Sequence, residues 1–189
     1  MTREEDIANA LKTLRQGGVI LYPTDTVWGI GCDATRSEAV KRIYDIKHRA
    51  DSKAMIVLLS RADDLWNYVE DVPDVAFELI EAAVRPLTIV YDRGRMIAPE
   101  LLASDGSIGI RVTSEEISSR LCRGLRRPLV STSANISGEP SPALFCEITP
   151  EILKSVDYVM ESRRDDMERS KPSSVIKLSN NGIFKILRP

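Results

Sequence analysis

Apolar residues recur at helical spacing through Ile7, Leu11 and Leu14, with Thr2 and Glu5 at capping-box spacing before them and Gly17 and Gly18 after them, so the chain opens on a predicted helix. The period then changes. Val19 to Tyr22 is a short β-branched-rich apolar run closed by Pro23, the pattern of a buried strand whose end releases the chain into a loop. Ser37 is placed to cap a second helix with the stripe Val40, Ile43 and Tyr44, and on that spacing Lys47 falls at the end of the stripe and points inward. Ala54 to Leu59 reads as another buried strand, and Pro73 opens a helix carrying Ala76, Leu79, Ile80 and Ala83.

Further along, Leu87 to Tyr91 and Ile108 to Val112 read as strands, Ser114 opens a helix with Ile117, Leu121 and Leu125 on one face, and Pro128 to Thr132 is a strand. Thr149 and Pro150 open a short helix, and Tyr158 and Val159 make a short strand. Ser174 to Leu178 and Ile183 to Leu187 form a hairpin around Asn180, Asn181 and Gly182. Glu161 to Lys171 is charged throughout and lacks apolar periodicity, which predicts a mobile surface loop. Several crossovers alternate helix and strand, while the last two strands are joined too tightly to be parallel. The expected class is therefore α/β (α+β), a mixed twisted sheet with packed helices, read as one domain over residues 1–189.

Composition narrows the function classes. With 43% apolar and 29% charged residues and no long apolar run, the chain is not expected to be a membrane protein, and without a secretory pattern at its amino terminus a cytoplasmic location is expected. Three scattered cysteines, Cys32, Cys122 and Cys146, give neither a disulfide framework nor a zinc pattern. A net charge of −2 argues against a protein that coats nucleic acid by bulk electrostatics. Local basic patches remain at Arg120, Arg123, Arg126 and Arg127 and between Lys41 and Lys53.

Gly29, Gly31 and Ala34 imitate a dinucleotide fingerprint, but Pro23 separates the strand from the glycines and Asp33 to Arg36 delay the next helix. There is no Walker A pattern and no G-x-S-x-G elbow, and a lone histidine, His48, excludes a site needing two imidazoles.

Three clusters carry candidate chemistry. Tyr22-Pro23-Thr24-Asp25-Thr26, running into Trp28-Gly29-Ile30-Gly31, suits either a rigid ligand loop or a structural turn. Lys47, Arg49 and Lys53 place three cations where a helix gives way to a buried strand, which suits either convergence on an anion or a solvated face. Ser131, Thr132, Ser133 and Asn135, with Ser137, Gly138 and Ser141, put hydroxyls and tight turns beyond a strand, as a phosphate or carboxylate site or as a plain serine-rich loop. Ser107 and Arg111 add a hydroxyl and a guanidinium on an apolar strand, where a buried arginine is costly without an anionic partner.

Taken in order, YPTDTVWGIGCDA, KHRADSK, SIGIRV, STSANISGEPSP, PSSVIKL and the terminal ILRP resemble the YrdC family of L-threonylcarbamoyladenylate synthases over nearly the whole chain. The resemblance implies a YrdC/RibB-like twisted mixed sheet with a large positively lined cavity. It also implies synthesis of threonylcarbamoyl-AMP and pyrophosphate from L-threonine, bicarbonate or CO2 and ATP, for threonylcarbamoyladenosine at position 37 of tRNA.

Carried over position by position, it assigns Thr26, Arg111, Ser131 and Ser173 to threonine, and Arg49, Lys53, Ser107, Ser133, Asn135, Ser141 and Arg188 to the nucleotide, with Lys47 completing the catalytic cations. Mg²⁺ is expected with ATP, without an assigned protein ligand. Downstream threonylcarbamoyl-transfer proteins are implied as partners, with tRNA contact left open. His48, Ala50, Arg85 and Ser174 depart from the family pattern but remove no charged ligand. Because nucleophile and leaving group both belong to substrates, the protein need only align them and neutralise charge, so Lys47→Ala and Arg49→Ala are expected to fold normally and lose turnover. An RNA-binding or ribosome-maturation factor using the same basic cavity is the alternative.

Overall fold

The amino-terminal capping box forms as its spacing predicts: Thr2 Oγ1 accepts the Glu5 N–H at 3.2 Å and Glu5 Oε2 accepts the Thr2 N–H at 2.8 Å, opening α1 (Arg3–Arg15). The computed structural model describes residues 1–48 and 55–189. Among them the further helices are α2 (Ser37–Ile46), α3 (Leu65–Tyr68), α4 (Val75–Ala82), α5 (Glu116–Leu125) and α6 (Pro150–Ser155). The strands are β1 (Ile20–Tyr22), β2 (Gly29–Gly31), β3 (Ile56–Leu59), β4 (Leu87–Tyr91), β5 (Ile108–Val112), β6 (Leu129–Ser133), β7 (Tyr158–Val159), β8 (Ser174–Leu178) and β9 (Phe184–Arg188).

They join in one mixed sheet of order β7-β1-β2-β6-β3-β5-β4-β8-β9. The pairs β1 with β7, β3 with β5 and β4 with β8 are parallel and the remaining neighbours antiparallel, so the mixed α/β class stands. The terminal hairpin is antiparallel as expected. Two elements were not legible. β2 is a Gly-Ile-Gly strand, held between β1 and β6, at which an added Cβ on Gly31 would meet the Val130 carbonyl at 2.6 Å. The four-residue α3 is too short to show a period.

Three helix starts differ from the sequence reading, the first being that of α4, which begins at Val75 behind Asp74 and not at Pro73. Glu115, not Ser114, caps α5, its carboxylate accepting the N–H groups of Ile117 at 3.1 Å and Ser118 at 2.7 Å; the longer acid reaches both while the Ser114 position still belongs to the strand exit. Arg36 occupies the cap position of α2 without a side-chain hydrogen bond, and Ser37 is the first helical residue.

Alternation along the strands sorts side chains onto two faces. Val19, Leu21, Ile30, Val57, Leu59, Ile89, Ile110 and Val130 share one core with Val40, Ile43 and Tyr44 of α2. Ile20, Tyr22, Leu58 and Leu129 face the other way, into a core with Ile7, Ala10 and Leu14 of α1 and Ile117, Leu121 and Leu125 of α5. On this second face α1 and α5 cover only part of the sheet, and the uncovered part carries the polar residues of β5 and β6.

The charged segment is better anchored at its start than its composition suggests. Asp6 on α1, 1% exposed, accepts the N–H groups of Glu161 at 3.0 Å and Ser162 at 2.7 Å, the Ser162 hydroxyl at 2.5 Å and the Tyr158 hydroxyl at 2.6 Å. Arg163 then donates to the Thr24 carbonyl at 3.0 Å, tying the segment to the loop after β1.

Candidate functional site

Because strand side chains repeat every second residue, Ser131 and Ser133 follow Leu129 onto the α5 face of the sheet, and Arg111 of β5 joins them there while Ile110 turns to the opposite core. Beyond the reach of α1 and α5 this face is open. It forms the floor of a cavity of about 280 Å³ lined by Thr26, Arg111, Ser131, Ser133, Ser141, Ser173 and Arg188, together with apolar residues such as Ile56 and Val175. That volume lies near the lower end of the roughly 300–1,000 Å³ usual for small-ligand clefts. Seven residues named from the sequence, drawn from segments more than a hundred positions apart, therefore converge on one wall.

The cavity is cationic. Among the described residues Arg111 and Arg188 line it and no carboxylate does. Arg111 is 3% exposed, with Asp25 Oδ1 3.1 Å from one terminal guanidinium nitrogen and with its Nε–H lacking a hydrogen-bond partner. A fork so placed, with an unspent donor, suits a carboxylate or phosphate ligand. Burial raises the pKa of Asp25, a shift that the Arg111 charge opposes and the nearby Glu115 adds to.

Hydroxyls ring this cation. Thr26 belongs to the loop after β1, where Thr24 Oγ1 accepts the Thr26 N–H at 3.0 Å, donates to the Val27 carbonyl at 2.8 Å and lies 3.0 Å from the Thr26 hydroxyl. Ser173, just before β8, shares a 2.9 Å hydrogen bond with Thr88 Oγ1, and Arg188 Nε donates to the Ser173 carbonyl at 2.9 Å. Thr88 escaped the sequence reading; the signal for it was a hydroxyl within the otherwise apolar run LTIV.

Other predicted residues are placed differently. Lys47 caps α2 and is 1% exposed, as the stripe implies, but it does not line the cavity: its ammonium donates to the carbonyls of Ser133 and, at 2.7 Å, Asn135. Its own carbonyl accepts the Ser137 N–H at 2.8 Å, so Lys47 holds the turn after β6 from both sides. Asn135 shapes the same turn, donating to the carbonyls of Ile136 at 3.0 Å and Glu139 at 2.7 Å while its buried Oδ1 has no hydrogen-bond partner. Ser107 shares the Arg111 face of β5 by alternation but lies toward the opposite strand end, outside the cavity lining, its N–H donating to Asp105 at 3.0 Å. Arg49 and Lys53 lie outside the described residues.

A larger cavity, about 740 Å³, is lined by Asp25, Arg61, Arg85, Thr113, Glu115 and Arg123 among others. It holds none of the predicted ligand residues and mixes acids with bases, so the smaller cavity, where a buried cation meets converging hydroxyls, is the better candidate.

Comparison with known proteins places this arrangement. The Sua5/YciO/YrdC family model, described as Telomere recombination, matches residues 12–189. The threonylcarbamoyl-AMP synthase of Pseudoalteromonas translucida is 31% identical over 188 residues, covering 98% of this chain and 100% of the relative. Escherichia coli YciO, in its crystal structure, superposes with a TM-score of 0.84 at 28% identity, over 100% of this chain and 90% of YciO. The crystal structure of P. abyssi Sua5 complexed with L-threonine gives a TM-score of 0.85 at 26% identity over 100% of this chain; the chain spans 55% of that protein's length. With matching fold, matching length and five of the six sequence blocks contributing to one cavity, the chain belongs to the Sua5/YciO/YrdC family.

Proposed function

We propose that this protein is a threonylcarbamoyl-AMP synthase. The observation that carries the reading is the Arg111 fork, buried on the cavity floor with its Nε–H unbonded and flanked by Thr26, Ser131 and Ser173. An amino acid bearing a hydroxyl matches this set: a carboxylate for the guanidinium and a hydroxyl for the ring of hydroxyls. The 31% identity to a threonylcarbamoyl-AMP synthase along the whole chain, and the likeness to a Sua5 complexed with L-threonine, support threonine as that amino acid.

The neutral amine of threonine, its ammonium proton given up to solvent, adds to CO2 with release of a further proton, or to bicarbonate with loss of water, giving a carbamate. A carbamate oxygen then attacks the α-phosphorus of ATP, and pyrophosphate leaves. Nucleophile and leaving group both belong to substrates, and among the described residues the cavity lining holds no histidine, cysteine or carboxylate, so alignment and charge neutralisation do the work. Thr26, Arg111, Ser131 and Ser173 hold threonine in this reading, while Ser133, Ser141 and Arg188 face the nucleotide, joined by Arg49 and Lys53. Asn135 and Lys47 fix the turn that presents Ser133. Mg²⁺ bound to ATP through its phosphates would share the charge that builds up as pyrophosphate leaves. The product, a reactive mixed anhydride, is passed to proteins that transfer the threonylcarbamoyl group to tRNA. No helix among the described residues is long and apolar enough to cross a membrane.

Pyrophosphate release from ATP tests the proposal. It should require threonine and bicarbonate together, and release indifferent to threonine would refute it.

A further inference from the structure

Arg111 needs more than a ligand: its charge is buried whether or not substrate is present. Asp25 meets that need in an unusual way. Its Oδ1 lies 3.1 Å from a terminal nitrogen of Arg111, yet Oδ1 forms no aligned hydrogen bond and the Arg111 Nε–H stays unbonded. The carboxylate thus supplies the opposite charge without consuming the donors that a substrate carboxylate would take.

The loop around Asp25 is itself fixed. Thr24 bonds to the Thr26 N–H and the Val27 carbonyl, and Arg163 reaches in from the charged segment to the Thr24 carbonyl. Asp25 lines the larger cavity together with Thr113 and Glu115, and its carboxylate lies against Arg111, which lines the smaller one; Arg163 stands 3.5 Å from Glu115.

We infer that Asp25 is a positioning residue, which restrains the Arg111 guanidinium so that its free donors meet the carboxylate of the amino-acid substrate. The inference rests on the threonine reading above. It predicts the opposite of simple charge competition: if Asp25 merely competed with the substrate for Arg111, its removal would tighten threonine binding.

Titration calorimetry with threonine, with and without MgATP, separates these. Asp25→Ala should weaken threonine binding at least tenfold while ATP affinity stays within twofold, and Asp25→Asn, which keeps an oxygen acceptor in place, should weaken it less. In the wild type, threonine affinity should also fall with pH through a midpoint above the ordinary aspartate range, whereas Asp25→Asn should be flat there, a response that a merely structural residue would not give. Unchanged or tighter threonine binding by Asp25→Ala, or equal losses for threonine and ATP with a lower melting temperature in both variants, would overturn the positioning role. Failure of the wild type to bind threonine under either condition would instead overturn the synthase reading, and the positioning role with it.

Discussion

A lysine ammonium that is 1% exposed must spend its donors inside the protein, and Lys47 spends them on the carbonyls of Ser133 and Asn135. The expectation that Lys47→Ala folds normally therefore changes. The substitution strips hydrogen bonds from two carbonyls beneath the turn that presents Ser133, and leaves space where the side chain packed. We predict a stability loss on the order of 3 kcal/mol, read as a fall of roughly 6 to 12 °C in melting temperature, together with lost turnover. A variant that melts like the wild type would show that the two carbonyl contacts carry little of the stability. The inward aim of Lys47 was legible, because a helical period needs only local sequence. Its partners were not, since they lie more than 80 positions away and backbone carbonyls leave no trace in residue type. Asp25 is the converse case: conspicuous inside the YPTDT block, it acquires meaning only when β5 delivers Arg111 beside it.

At the scale of elements, α1 does more than cover the sheet. Through Asp6 it collects four different donors from Tyr158, Glu161 and Ser162, pinning the chain that later reaches Ser173 in the cavity wall. Burial alone would raise the Asp6 pKa, but these hydrogen bonds outweigh it and hold the pKa below the usual aspartate value. The sign follows from linkage: the contribution is present above the unfolded-state aspartate pKa and is lost as pH falls through the lower folded-state value. Asp6→Ala should destabilise the protein by about 2 to 3 kcal/mol through stranded donors and raise hydrogen exchange at Glu161 and Ser162 at neutral pH. Wild-type protection at those amides in the variant would contradict the anchoring. The charge pattern of 161–171 marked a surface segment correctly as to composition, but an acid 155 positions away in sequence, on the buried side of α1, determines where that segment starts. Such a contact is invisible to any local pattern. The glycine strand β2 was hidden for a related reason: its identity comes from being paired on both sides.

At the scale of the molecule, the period-two alternation of β5 and β6 and the limited reach of α1 and α5 together create the site. Sequence patterns gave most of the strands and helices, and the blocks gave seven of the cavity's residues, because both are encoded in short stretches. The strand order β7-β1-β2-β6-β3-β5-β4-β8-β9 is a long-range property and could only be seen in the fold. It is this order that sets β6 beside β3 and β3 beside β5, bringing Ser131 and Arg111 onto one floor. In the proposed reaction this floor joins threonine, one carbon of bicarbonate and AMP. Incubation with threonine, ATP and ¹³C-labelled bicarbonate, followed by mass spectrometry, reads out that junction. A labelled species that fragments to both AMP and threonine is expected. An adenylate of threonine lacking the labelled carbon, or AMP with no threonine-containing product, would contradict it.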